Sequence, residues 1–233
     1  MGGKILDKLL INRIYYHLYK NDLLSERQSD FTPQRNTIDA AMEAKSFIQP
    51  ILENRGLVIM TSLDVQKAFD FCIVASDPSR SERRQLSKKS VHSQQVILQQ
   101  QKSSHKHKKV TIERHITKGC PQGSCSGPGF WNILYNSLLT LELNSRSRSI
   151  AFADDLIILT RGETVTETEN FMNLALTKVQ KWAQNNRLVF NEDKSKVMLM
   201  TRRKRKGKKE IAVYIKNKKL NQVNQIRYLG ILF

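Results

Sequence analysis

Asp154 and Asp155 stand side by side inside Ser149–Thr160, SIAFADDLIILT, flanked by the β-formers Ile150 and Phe152 before them and Ile157, Ile158 and Leu159 after. Two short apolar runs around a small acidic centre predict a hairpin with the carboxylates at its tip. Adjacent like charges repel, and each resists losing water. A divalent cation removes both penalties, so the pair is a candidate metal site. A plain polar turn explains the same dipeptide equally well. A third carboxylate, Asp64, ends the strand-like run Leu57–Leu63, with Phe69 five residues further on. The end of a buried strand is a common place for a functional carboxylate, and also for an ordinary turn aspartate. Ile116 to Pro128, ITKGCPQGSCSGP, is glycine-rich. Its glycines allow close backbone approach to a ligand, but it lacks the Lys-Ser/Thr ending of a nucleotide-cradling Walker loop.

These residues need elements to carry them. Residues 4–20 place Ile5, Leu6, Leu9, Leu10, Ile14 and Leu18 at helical spacing. A second helix follows Asn36 or Thr37, either of which can cap it, with Asp39 in its first turn and Gly56 as its C-terminal stop. Phe130–Leu143 reads as a third helix, with Phe130, Ile133, Leu134, Leu138 and Leu141 on one face. Thr166 and Glu169 spell a capping box before the fourth, whose apolar face runs Phe171, Leu174, Ala175, Val179, Trp182. Leu188–Phe190 and Val197–Met200 read as strands joined by a turn at 191–194 that holds Lys194, and Ile211–Ile215 and Ile226–Phe233 as two more. Residues 76–109 break the pattern. They are rich in Ser, Gln, Lys and Arg, show no sustained period, and are expected to be disordered.

The chain has 233 residues, enough for one large or two small domains, and a formal charge of +18 from 39 Lys+Arg against 21 Asp+Glu. That excess points to a polyanionic partner, nucleic acid before membrane. Cys72, Cys120 and Cys125 have no C-x-x-C spacing, which argues against a zinc site or a disulfide framework. No run approaches the roughly 18 apolar residues of a membrane span, so no membrane partner is expected. Arg202–Lys209, RRKRKGKK, reads as a phosphate-contacting loop, a nuclear-import signal or a solvated hairpin tip.

The order of these signals resembles the reverse-transcriptase domain of non-LTR retrotransposons, LINE-type and jockey-like. The matching stretches are LLSERQSDFTPQRNTIDA, SLDVQKAFD, KGCPQGSCSGP, WNILYN, FADDL, LVFNEDKSKVMLM and YLGI. They cover nearly the whole chain apart from residues 71–110. The resemblance implies an α+β fold: a right-hand polymerase palm with partial fingers, an antiparallel sheet packed on helices, a disordered or irregular insert at about 72–109, and no thumb. Residues 1–56 would be partial fingers, 57–201 palm, and 202–233 the end of the palm. It implies an RNA-directed DNA polymerase that adds dNTPs to a DNA primer on an RNA template. Asp64, Asp154 and Asp155 would hold two Mg²⁺ ions, and Lys194 would protonate the leaving pyrophosphate. Phe69 would lie under the nucleotide sugar and exclude a 2′-hydroxyl, and Gln122 and Gly123 would pack near the incoming nucleotide. Tyr228-Leu229-Gly230 corresponds to the strand pair that grips the primer, and equally to plain sheet core. The family's habit of copying at chromosomal DNA implies a nuclear location. Two departures stand out: Asp30 replaces a usual glycine, and residues 71–110 read as if in another frame. The alternative function is a catalytically inactive, basic RNA-binding remnant of a retroelement. A splicing-type maturase is a third.

Overall fold

In a computed structural model of the chain, residues 2–25, 27, 36–66, 102–107, 110–115, 125–203 and 210–233 are described. The helices among them are α1 (Gly2–Lys20), α2 (Thr37–Glu53), α3 (Ser126–Leu139) and α4 (Val165–Asn185). The longer strands are β1 (Leu57–Val65), β2 (Lys102–His107), β3 (Val110–His115), β4 (Ser147–Phe152), β5 (Asp155–Gly162) and β6 (Phe190–Thr201). Two-residue strands follow: β7 (Tyr214–Ile215), β8 (Lys218–Lys219), β9 (Asn221–Gln222), β10 (Arg227–Tyr228) and β11 (Ile231–Leu232). The chain divides into two compact units, Met1–Leu24 with Lys67–Trp131, and Ser25–Gln66 with Asn132–Phe233.

In the first unit α1 buries Ile11, Ile14 and Leu18. It meets the start of α3 closely: a Cβ added at Gly129 would stand 2.6 Å from Ile11 Cγ1. The buried Asp7 carboxylate accepts from the Cys125 amide at 2.8 Å, just before α3 begins. The same unit corrects an expectation. Within the stretch read as disordered, β2 pairs antiparallel with β3, from Lys102 opposite His115 to His107 opposite Val110. A backbone ladder needs no apolar alternation on both strands, and Val110, Thr111 and Ile112 are good strand formers.

The second unit is built on a sheet of order β4-β5-β1-β6-β9, antiparallel throughout except that β9 runs parallel to β6. Leu57, Val58, Ile59 and Met60 of the central strand have no exposed surface, because both faces are covered. Val58 and Met60 join Ala40, Ala44 and Ile48 of α2, Ile150, Ile157, Leu159, Met198, Ile226 and Tyr228 in one apolar cluster. Helix α4 contacts β5, β1 and β4, and buries Met172, Ala175, Leu176 and Val179. Leu174, expected inside, is exposed.

Local chemistry decides where these elements start and stop. The Asn36 side chain accepts from the amides of Ile38 and Asp39, and the Asp39 carboxylate accepts from the Asn36 amide. At the other end of α2 the left-handed residue is Arg55, at φ 55°, and not Gly56. Gly56 serves close packing instead, since a Cβ there would stand 2.6 Å from Ile51 Cγ2. The capping box of α4 uses Thr164 and Glu167, two residues before the pair expected. Strand β6 is continuous where two strands and a turn were expected, and it absorbs the polar residues as a bulge. Beyond it, the two expected long strands are present as the short hairpins β7–β8 and β10–β11. Lys216 and Asn217, then Leu229 and Gly230, all have positive φ, the geometry of type I′ turns.

The α4 cap yields two tests. Thr164→Ala should cost about 1 kcal/mol, read from chemical denaturation. The Glu163 amide above all, then the Thr164 amide and Arg146, hold the Glu167 carboxyl below its ordinary value of 4.5. A lowered folded-state pKa stabilises above the unfolded value, and that contribution is lost as pH falls through the folded one. The thermal-stability gap between wild type and Glu167→Gln at pH 7 should therefore close below pH 4.5.

Candidate active site

The β1–β5 register runs from Leu57 opposite Gly162 to Leu63 opposite Leu156. The next residues along the two strands are Asp64 and Asp155. Side chains alternate faces, so Asp64 follows Val58 and Met60, and Asp155 precedes Ile157 and Leu159, all on the face that packs against α2. Across the hairpin Phe152 pairs with Asp155, leaving Ala153 and Asp154 as a two-residue turn. Ala153 sits at φ 53°. A non-glycine residue there costs about 1 kcal/mol, the sort of strain that collects at functional sites. Residues 90 positions apart in sequence thus meet at one end of the sheet. Asp64 is half-buried, and Asp154 and Asp155 are exposed.

The electrostatics match this gathering. Partial burial, then the Asp154 carboxylate, then the Asp64 carboxylate raise the Asp155 pKa. Asp155 therefore feels both of the other carboxylates. Tyr135 of α3 is fully buried, and its phenol is raised by burial first and then by Asp154, Asp155, Tyr228 and Asp64. Its ring is set edge-on to Trp182, centroids 5.9 Å apart, and the Trp182 indole donates to Ser137 Oγ at 2.9 Å. Tyr228, 3% exposed, is raised by burial, Asp155 and Glu43. Its hydroxyl has no hydrogen-bond partner among the described residues. A buried hydroxyl without such a partner, in the field of Asp155, calls for an explanation, and a bound ligand is one.

The donor set is three hard carboxylate oxygens, which suits Mg²⁺. Among the described residues no three His, Cys, Asp or Glu side chains converge closely enough to ligate one ion. That is compatible with Mg²⁺, which takes one or two carboxylates and completes its shell with water and substrate phosphates instead of a closed protein cage.

Lys194 is exposed and lies in the β6 bulge. Asn191 pairs with Asp64 and Lys196 with Ser62, so Glu192, Asp193, Lys194 and Ser195 all stand opposite Leu63. The amides of Asp193 and Lys194 donate to Asn191 Oδ1 at 3.2 and 3.4 Å. The turn expected at 191–194 is thus real as a local shape, inside one strand. Phe69, Gln122 and Gly123 lie outside the described residues, as do Asp30 and residues 204–209 of the basic run. Sequence reasoning gave no role to Tyr135 or Ser195, although both fall in matched stretches, WNILYN and LVFNEDKSKVMLM.

A cleft of about 970 Å³ lies away from the carboxylates, lined by Arg27, Glu43, Asn144, Arg148 and Lys178 among others. Its cations are engaged. Arg27 donates to the Leu139 carbonyl, Lys178 to the Glu142 carbonyl, and Arg148 sits 3.9 Å from Glu43 and over the Phe47 ring. The aspartate corner is therefore the stronger candidate for chemistry.

The chain is similar to known proteins over nearly its whole length. A Pol polyprotein of the type-1 retrotransposable element R1 2 of Nasonia vitripennis is 38% identical over 120 residues, 48% of this chain and 28% of the relative. A putative 115 kDa protein of the element R1DM of Drosophila melanogaster is 28% identical over 232 residues, 98% of this chain and 21% of the relative. The chain thus spans under a third of the length of either. Among solved structures, a Candida tropicalis telomerase superposes with a TM-score of 0.58 at 14% identity, over 83% of this chain and 33% of that one, which supports the fold. The family profile described as "Reverse transcriptase (RNA-dependent DNA polymerase)" matches residues 1–233, and the chain belongs to that family.

Proposed function

We propose that this chain is the polymerase part of a non-LTR retrotransposon protein, copying RNA into DNA with Asp64, Asp154 and Asp155 at its centre. The observation that carries the reading is the register that sets Asp64 beside Asp155 at the hairpin tip. The charge of +18 supports a template–primer duplex as partner, because a basic surface neutralises phosphates and releases their counterions.

The three carboxylates would hold two Mg²⁺ ions, with Asp64 and Asp155 on neighbouring strands and Asp154 in the turn between β4 and β5. When bound, the ions lower the pKa of the primer 3′-hydroxyl and neutralise charge on the triphosphate. Lys194, on its exposed bulge, gives a proton to the departing pyrophosphate as general acid. The resemblance assigns Phe69 to the nucleotide sugar, where an aromatic ring would reject a 2′-hydroxyl by steric conflict. The same resemblance assigns Gln122 and Gly123 to the incoming dNTP.

Purified chain with Mg²⁺ should extend a DNA primer on an RNA template, and Asp154→Asn should lower the rate by several powers of ten. No extension by the wild-type chain at any protein concentration would reject autonomous polymerisation. A second measurement needs no turnover. Because Asp154 and Asp64 repel Asp155, the triple Asn variant at these positions should melt higher than wild type without metal, and should lose the rise in melting temperature that Mg²⁺ gives wild type. The inactive RNA-binding alternative, also favoured by the charge, predicts instead salt-sensitive RNA binding and no Mg²⁺ response in either protein.

A further inference from the structure

We propose that Ser195 is a positioning residue of this site, its buried hydroxyl locking the Lys194 bulge of β6 to the backbone of Asp64. The inference rests on the polymerase reading of Asp64 and Lys194. Ser195 has no exposed surface. Its hydroxyl donates to the Asn191 carbonyl at 2.6 Å and accepts from the Asp64 amide at 3.3 Å. One hydroxyl carries one proton and two lone pairs, so both bonds form at once.

The need for this bond follows from the register. Four residues of β6 face Leu63 alone, so the regular ladder fails between Ser62 and Asp64. Beyond the break it resumes, with Val65 opposite Phe190 and the Gln66 amide donating to the Val189 carbonyl at 2.8 Å. At the break, the Asp64 amide takes a side-chain oxygen as acceptor. Other ties hold the outside of the bulge: Lys216 to Glu192 at 3.2 Å and Lys218 to Asp193 at 2.6 Å. Both pairs are in contact with solvent, where such pairs contribute little. Ser195 is buried, and it joins the bulge to the strand that carries Asp64. Removing its hydroxyl strips two main-chain groups, on a part-buried stretch of backbone, of a partner. One bond thus sets two distances: the carboxylate of Asp64 relative to the hairpin tip, and the Lys194 ammonium, one residue from Ser195, relative to both. Groups that orient a metal ligand typically change affinity 10- to 100-fold when removed.

The test uses the full 233-residue chain and Mn²⁺ as probe, titrated by calorimetry. Ser195→Ala should weaken Mn²⁺ binding about tenfold or more, and Ser195→Thr, which keeps the hydroxyl, should retain it. Ser149→Ala is the control, because Ser149 is equally buried and its hydroxyl has no hydrogen-bond partner among the described residues. It should leave Mn²⁺ binding unchanged. Wild-type affinity in Ser195→Ala, or equal loss in Ser195→Ala and Ser195→Thr, would overturn the proposal. Asp64→Asn separates the two levels. If it leaves Mn²⁺ binding intact, the carboxylate reading itself fails; if it abolishes binding while Ser195→Ala does not, the role of Ser195 alone fails. Amide hydrogen exchange on the wild-type chain covers the case of a variant that does not fold. The Asp64 amide should exchange about tenfold or more slowly than an unstructured one, and free exchange would overturn the proposal.

Discussion

The acidic corner of this chain depends on the pairing of β1 with β5. With Leu63 opposite Leu156, the sheet carries Asp64 to the level of Asp155. A slip of one residue would turn every side chain of β1 to the other face and send Asp64 toward α4. Apolar burial protects the register. Val58 and Met60 are sealed against α2, and Leu57 and Ile59 are sealed on the opposite face. Full burial of such a side chain contributes about 1.5–3 kcal/mol. That is enough to hold together strand ends whose carboxylates repel. The sheet core thus bears the cost of a corner that is electrostatically unfavourable on its own.

The corner is also asymmetric. On one side the residues are regular: a tight hairpin and a straight β5. On the other, β6 departs from the ladder for four residues beside Asp64. Tyr135 is buried and feels all three carboxylates, while Tyr228, from the C-terminal hairpin, feels Asp155. Two phenols therefore take part in the field of the acidic corner without ionising themselves, since burial holds both in the neutral form. A polar but uncharged wall limits further repulsion while still offering hydroxyl dipoles.

How much of this could be read from the sequence varied with the kind of signal. The acidic hairpin was legible, because apolar runs on both sides of two aspartates allow few other shapes. The meeting of Asp64 with that hairpin was legible only through resemblance, since strand pairing over such separations leaves no local trace. The start of α4 was ambiguous in principle. The run Thr164-Val-Thr-Glu-Thr-Glu169 spells the capping box twice, and burial of Val165 at 4% exposure in the first turn selects the earlier one. The β6 bulge was hidden because Asn191-Glu192-Asp193-Lys194 has the composition of a turn, and does make one, without ending the strand. The β2–β3 pair was missed because composition speaks of core formation, whereas a two-stranded ladder is a matter of backbone groups. The role of Ser195 had no signal of its own: a lone serine in a polar run is indistinguishable from its neighbours until the register is known.

The methyl group of Ala153 sets a narrow tolerance on the whole assembly. In its left-handed conformation this position admits glycine or asparagine easily, alanine at some expense, and a branched side chain such as valine only by reshaping the tip. A copy of this gene drifting without selection could therefore keep Asp64, Asp154 and Asp155 intact in its reading and still lose their alignment through one change at the residue between. Inspecting the three acids alone would then count a dead copy as a living one.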